Sequence, residues 1–295
     1  MPTYDFVTLD VFTDRRFGGN QLAVFTDARG MTSEQMQALA GEMNLSETTF
    51  VLPADDPAHT ARVRIFNRTA EMPFAGHPNV GTGFVLAQMG RDTNGVLVFE
   101  EIAGLVEVKV ERDGSGAVTG AAIAAPQALS TGFALTPEQV AQCCMIAPSD
   151  VITARHQPIQ ASVGVDFVFA EVTPDGLAKA GPNLTGSREV AATIPEVGDR
   201  LSIHLYARDG DRLRVRMFAP LSGTFEDAAT GSANATLAAL LLSLDGGETA
   251  AFDVTQGVEM GRPSQLKVTA HRAADGIRAT VGGGCAPMFR GQVSL

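Results

Sequence analysis

Residues 62–86 read RVRIFNRTAEMPFAGHPNVGTGFVL, and residues 214–240 read RVRMFAPLSGTFEDAATGSANATLAAL. The second stretch repeats the first. Both open with Arg-Val-Arg-(Ile or Met)-Phe, in which charged and apolar residues alternate at the period of a half-buried strand. Both then place a glutamate (Glu71, Glu226) five residues before a glycine (Gly76, Gly231), and an asparagine (Asn79, Asn234) three residues after it. Small and apolar residues follow without strand alternation, as in a buried helix. The one mismatch is three extra residues between Phe218 and Glu226. Each half therefore predicts a strand, a turn and a helix begun at a glycine, and the functional question becomes where the two helix starts meet.

Other echoes support two halves. Thr32-Ser33-Glu34-Gln35 is a capping box, threonine at N-cap and glutamine at N3, and heads a helix that Asn44 is placed to stop. Thr136-Pro137-Glu138-Gln139 repeats that pattern ahead of Val140, Cys143 and Cys144, which read as core. A weaker echo sets residues 19–24 against residues 261–268. Residues 4–12 and 22–25 read as strands, and residues 96–110 as further strands punctuated by Gly104. The expected boundary lies near residues 120–128: a first domain over 1–124, completed by the tail 286–295, and a second over 125–285.

Composition narrows the function. The chain has 295 residues, 45% of them hydrophobic and 19% charged, with a formal net charge of −11 and three lysines. That balance, without a basic stripe, opposes binding to nucleic acid or an anionic membrane surface. The start, MPTYDFVTLD, has neither basic nor apolar region of a secretory signal. The longest apolar run, about residues 235–244, is shorter than the roughly 20 residues that cross a bilayer. Three cysteines (Cys143, Cys144, Cys285) form no disulfide framework. The expectation is a soluble cytoplasmic protein.

A helix beginning at Gly76 or Gly231 presents unpaired N–H groups and the positive end of its dipole, a site for a carboxylate. Pro78 suits N1 of the first helix, and Thr230 or Ser232 is placed to cap the second. His77 follows Gly76 in an otherwise apolar run, whereas His59, His156, His204 and His271 read as structural. Asp227 stands where the first copy has Met72, so one side alone carries an acid: either a turn cap or a general acid or ligand clamp. Glu71 and Glu226 occur in both copies and read as structural, bonding turn amides. From spacing alone Glu47 reads as a solvated loop carboxylate. No His or Cys pair has metal-ligand spacing, and no P-loop, dinucleotide fingerprint or Gly-x-Ser-x-Gly elbow is present. Carboxylate and imidazole acid/base chemistry without cofactor or metal remains.

The motifs Glu42-Met43-Asn44-Leu45-Ser46-Glu47-Thr48, Pro73-Phe74-Ala75-Gly76-His77-Pro78 and Glu226-Asp227-Ala228-Ala229-Thr230-Gly231-Ser232-Ala233 resemble the PhzF-like phenazine-biosynthesis isomerase family. Gln256-Gly257, Gly261-Arg262-Pro263-Ser264 and the glycine-rich tail agree, so the resemblance spans nearly the whole chain. It implies an α+β, diaminopimelate-epimerase-like fold: two pseudo-symmetric domains, each a curved antiparallel sheet wrapped around a central helix, with a cleft between them, commonly as a homodimer. It also implies an isomerase moving a proton on a small cyclic carboxylate like trans-2,3-dihydro-3-hydroxyanthranilate. Glu47 would then take the proton from ring C3 and deliver it to C1, reversing the solvated-loop reading. His77 and Asp227 would assist, and Gly76, Asn79, Thr230, Gly231 and Ser232 would bind substrate. Two departures bear on substrate choice: Gly19-Asn20-Gln21 stands where Gly-Asn-Pro is common, and Asn79-Val80 where Thr or Leu precedes Leu or Ile. The alternatives are an amino-acid epimerase or racemase, not of the two-cysteine kind because neither helix start holds a cysteine, and a non-catalytic binding protein retaining the fold.

Overall fold

A computed structural model describes residues 1–197 and 200–295. They form two units, Met1–Ala124 with Val281–Leu295, and Ala125–Thr280. In chain order the first holds β1 (Thr3–Val11), β2 (Asn20–Phe25), α1 (Ser33–Met43), β3 (Glu47–Leu52), β4 (Ala61–Asn67), β5 (Glu71–Met72), α2 (Gly76–Gln88), β6 (Val96–Glu101), β7 (Gly104–Arg112) and β8 (Val118–Ala124).

Local chemistry sets these elements. The Thr32 hydroxyl accepts from Gln35 N–H while Gln35 reaches back to Thr32 N–H, so α1 begins with both halves of its capping box. It ends at Asn44, whose φ of 52° is left-handed, a conformation asparagine tolerates better than most residues. Met36, Leu39 and Ala40 of α1 join Phe25, Phe50 and Phe66 of the sheet in one apolar cluster. The Phe25 and Phe50 rings stack 4.9 Å apart. Helix α2 is apolar all round, and every residue from Gly76 to Ala87 is buried. It packs against β1, β2, β3, β7 and β8, so the sheet encloses it.

The second unit holds β9 (Ser130–Ala134), α3 (Pro137–Cys144), β10 (Val151–Ile152), β11 (Ile159–Ser162), β12 (Asp166–Val172), α4 (Pro174–Lys179), α5 (Leu184–Ala191), β13 (Ile203–Asp209), β14 (Arg212–Ala219), β15 (Thr224–Asp227), α6 (Gly231–Asp245), β16 (Thr249–Gln256), β17 (Ser264–Ala273) and the start of β18 (Gly276–Ser294). Its central helix, α6, lies against β11, β12, β16 and β17. Cys143 and Cys144 are buried in this unit's core, beside Val140, Val168 and Phe218.

Strand pairing repeats between the units. In the first, β2 runs parallel to β3, β3 antiparallel to β4, β4 antiparallel to β5 and parallel to β6, and β6 antiparallel to β7. In the second, β12 to β17 follow the same sequence of pairings. Parallel pairs occur where a helix makes the crossover, within otherwise antiparallel sheets. The three extra residues of the second copy make a short 3₁₀ turn, Pro220–Ser222, closed by Gly223 at φ 80°.

Two sequence expectations are corrected. The echo between residues 19–24 and 261–268 is not a structural repeat, because β2 corresponds in topology to β12 and β17 to β7. The chain returns to the first unit at Val281, not 286. The reason is the glycine run: Gly283 backbone lies so close to Gly120 of β8 that a Cβ there would meet it. Further on, β18 pairs with β1 from Val11↔Cys285 to Thr3↔Ser294.

Candidate active site

Glu47 is the first residue of β3, where its backbone is held between β2 (Leu22↔Glu47) and β4 (Glu47↔Asn67). The preceding Ser46 hydroxyl donates to Asn20 Oδ1 at 2.9 Å, tying the end of the α1–β3 loop to the start of β2. His77 is the second residue of α2 and is buried. The Thr49 and Thr82 hydroxyls, 2.8 Å apart and buried, pin α2 to β3. This arrangement sets His77 Nε2 3.3 Å from Glu47 Oε2.

Burial pushes the His77 imidazole down to about 4, only partly opposed by its hydrogen bond to the Gln21 backbone, which favours the protonated ring. At neutral pH the ring is therefore uncharged, and the contact is between a neutral imidazole and a carboxyl group rather than a full ion pair. Glu47 keeps 17% of its side chain exposed against 6% for His77, so a ligand can reach the carboxyl while its surroundings stay mostly dry.

The first turn of α2 is bare. Its N-cap, Ala75, has no side chain to offer the helix N–H groups, and neither does the N-cap of α6, Thr230, supply a capping bond. The four other α-helices are all capped by side chains, from Thr32, Thr136, Thr173 and Asn183. Among the α-helices of the described residues, these two central ones alone have no capping bond from the N-cap side chain, which suits an anionic ligand. Pro78 is the third residue of α2, not N1 as its sequence position suggested; it is tolerated because N–H groups of the whole first turn have no intrahelical acceptor.

In the second unit the Thr230 hydroxyl does not cap α6 but donates to Asp227 Oδ2 at 2.7 Å, and Ser232 sits inside the helix. Asp227 ends β15 and is half-buried. Gln256, named above only as part of a matching motif, organises this turn. Its amide donates to the Asp227 carbonyl (2.9 Å) and Thr230 Oγ1 (3.0 Å), and accepts from Thr230 N–H (3.0 Å) and Asn234 Nδ2 (2.8 Å). Asn234 Oδ1 in turn lies 3.1 Å from His204 Nε2, and burial holds that imidazole down at about 3. Because Asn234 Nδ2 already donates to Gln256 and to the Thr230 carbonyl, the neutral His204 donates to Oδ1. Gly257 follows Gln256 at φ 74°, where a Cβ would meet the carbonyls of Arg262 and Ala228 at 2.5 and 2.6 Å, so only glycine fits.

Glu71 and Glu226 do not bond turn amides. Each makes a two-pronged pair with the repeat arginine: Arg64 Nε and Nη2 to Glu71 at 2.6 Å each, and Arg216 Nε and Nη2 to Glu226 at 2.8 Å each. Asn79 is fully buried, and its Nδ2 donates to the Ala75 carbonyl at 3.1 Å, so its side chain serves the helix start rather than open space. The structure therefore brings Glu47 and His77 together in the first unit, and Asp227, Thr230, Gly231 and Ser232 at the start of α6 in the second. Of the remaining histidines, His59 meets Glu100, His156 meets Tyr206 and His271 is exposed.

A carboxyl group and an imidazole in contact beside a bare helix start are groups able to exchange protons with an anionic ligand. Residues 9–291 match the family described as phenazine biosynthesis-like protein, PhzC-PhzF, and the chain belongs to it. It is 34% identical over 297 residues to the trans-2,3-dihydro-3-hydroxyanthranilate isomerase of Pseudomonas aeruginosa, covering 98% of this chain and 99% of that one. It is 35% identical over 278 residues to an uncharacterized isomerase of Mesorhizobium japonicum, covering 91% of each. Among solved structures, a PhzF-family phenazine biosynthesis protein of Bacillus anthracis superposes with a TM-score of 0.88 at 24% identity, over 100% of both chains. The protein is an isomerase of the PhzF family, with that family's α+β fold.

Proposed function

We propose that the protein is a cofactor-independent isomerase that moves a proton on a small cyclic carboxylate of the trans-2,3-dihydro-3-hydroxyanthranilate kind, with Glu47 as the general acid/base. The observation that carries this reading is the contact of Glu47 with the buried, neutral His77 at a bare helix start. In the carboxylate form Glu47 removes the proton from ring C3; the C–H bonding electrons pass into the conjugated ring system, and the protonated Glu47 then delivers the proton to C1. One carboxyl group both takes and returns the proton, so the sum is a shift of one hydrogen with no net oxidation. The neutral imidazole of His77 steadies the Glu47 carboxyl through that cycle and hydrogen-bonds polar groups of the substrate. In the first unit the first N–H groups of α2, from Gly76, suit a carboxylate; in the second those of α6, from Gly231 and Ser232, suit an anionic group likewise, with Asp227 and Thr230 placed for amino or hydroxyl groups.

The similarity to the P. aeruginosa isomerase along nearly the full length of both chains supports this choice of substrate class. The test is turnover of trans-2,3-dihydro-3-hydroxyanthranilate by wild type, Glu47→Gln and Asp227→Asn, beside a chiral assay over an amino-acid panel. The reading expects turnover of the cyclic substrate by wild type and its loss in Glu47→Gln. Racemisation of an amino acid with no activity on the cyclic compound would replace it with the epimerase reading.

A further inference from the structure

Glu101 closes β6 on the strand's inner face, in line with the fully buried Leu97 and Phe99. The side chain it meets is Asn79 of α2. Asn79 Nδ2 already donates to the Ala75 carbonyl. Asn79 Oδ1 and both Glu101 oxygens are buried without a well-formed hydrogen bond. Three buried acceptors thus share what one amide has left to donate, an arrangement costly for a carboxylate and relieved by a single proton.

The internal repeat shows what this position does. Arg62 and Arg214 begin the two copies; Arg62 lies opposite Glu100, and Arg214 opposite Thr255. One residue on, Glu101 corresponds to Gln256, just as Asn79 corresponds to Asn234. Gln256 uses both ends of its amide, donating to the turn before α6 and accepting from Asn234 and Thr230 N–H. A protonated carboxyl group is the close match of that amide, with one donor and one acceptor on a trigonal carbon. An ionised one has no donor.

We propose that Glu101 is held as a neutral carboxylic acid and is the positioning residue for the start of α2, doing in the first unit what the Gln256 amide does in the second. Through Asn79 and the Ala75 carbonyl it fixes the turn that carries His77; the link to catalysis rests on the function proposed above. The surroundings agree. On β4 the inner residues are Ala61, Val63 and Ile65, and on β7 the residue opposite is Gly104. On α2 the titratable neighbour of Asn79 is His77, itself neutral. Burial pushes the Glu101 carboxyl up to about 8, opposed by the Asn79 amide.

The test compares the full-length wild type with Glu101→Gln, which keeps a donor and an acceptor at every pH, and with Glu101→Ala. Infrared spectra should show a protonated carboxylic-acid carbonyl in wild type at neutral pH, absent from Glu101→Gln and titrating near pH 8. With ¹⁵N-labelled histidine, the His77 ring signals, assigned by loss in His77→Asn, should move through the same pH range in wild type and stay still in Glu101→Gln. On the activity side, wild-type kcat at about pH 9 should fall roughly tenfold below its pH 7 value, since one unit above the midpoint leaves about a tenth of the groups protonated. Glu101→Gln should hold its kcat over that range, and Glu101→Ala should be low throughout. A carboxylate spectrum at neutral pH, or His77 signals blind to the titration, overturns the proposal whatever substrate the enzyme uses. Absence of turnover with an intact infrared band and His77 response would instead count against the substrate assignment alone.

Discussion

Neutral His77 makes the fold sensitive to acid, and the effect can be sized. Its imidazole would titrate at 6.5 when solvated but is held down to about 4 by burial. Between those values the unfolded chain takes up a proton at this residue and the folded chain does not. The associated stability is therefore fully present above pH 6.5 and is lost as the pH falls toward about 4. The gap corresponds to about 3 kcal/mol. His204, held down at about 3 by burial, acts in the same direction, whereas Glu101 acts in the opposite sense at higher pH. The change in pH sensitivity caused by His77→Gln isolates the His77 part. Urea unfolding of wild type and His77→Gln, each at about pH 7 and pH 4, should show the wild type losing about 3 kcal/mol more than the variant. A difference below about 0.5 kcal/mol would mean that His77 takes its proton in the folded state as freely as in the unfolded one, and the neutral-imidazole account of the site would fall.

Two further perturbations probe the scaffold. Gly81→Ala puts a Cβ 2.5 Å from Leu22 Cδ2 and 2.8 Å from Val11 Cγ2 in the core around α2. Overpacking of about 1–3 kcal/mol should outweigh the ~1 kcal/mol gained in helix propensity, so the thermal midpoint should fall; a rise would show that the sheet around α2 yields easily. Glu226→Ala leaves the buried Arg216 guanidinium facing the Leu177 and Ala180 carbonyls and Glu259 at 3.9 Å. Denaturant titration should find a loss of about 3 kcal/mol, larger than for Glu226→Gln, which retains a hydrogen-bond acceptor.

Much of this architecture is written locally in the chain. The repeat of residues 62–86 in 214–240 announces two strand–turn–helix units, and the Thr32 and Thr136 boxes mark helix starts because capping depends on neighbours within four positions. The bare start of α2 is legible for the same reason, since Ala75 offers no side-chain oxygen; that of α6 is not, because Thr230 reads as a cap and its hydroxyl turns instead to Asp227. What the spacing leaves open depends on partners distant in sequence. Glu47 reads as a loop acid until β2 and β4 close on either side of it and α2 brings His77 to it. Glu71 and Glu226 look like turn-capping residues until the hairpin folds them back onto Arg64 and Arg216. Pro78 lies two residues further into α2 than the N1 position its context suggests, because the helix begins at Gly76 itself, with no capping side chain to mark the boundary. Gln256 and Glu101 lie outside the repeated stretch, and only the strand register of β4 with β6 and of β14 with β16 makes them equivalents.

The claim that Glu47 carries the proton is tested most directly in deuterated water, by following label into trans-2,3-dihydro-3-hydroxyanthranilate and its product with wild type and folded Glu47→Gln. Because the partly exposed Glu47 carboxyl exchanges its proton with solvent while it holds it, deuterium at the reacting ring carbons with wild type, and none above background with Glu47→Gln, is the predicted result. Equal labelling by the two proteins would contradict it and move the proton transfer to another residue.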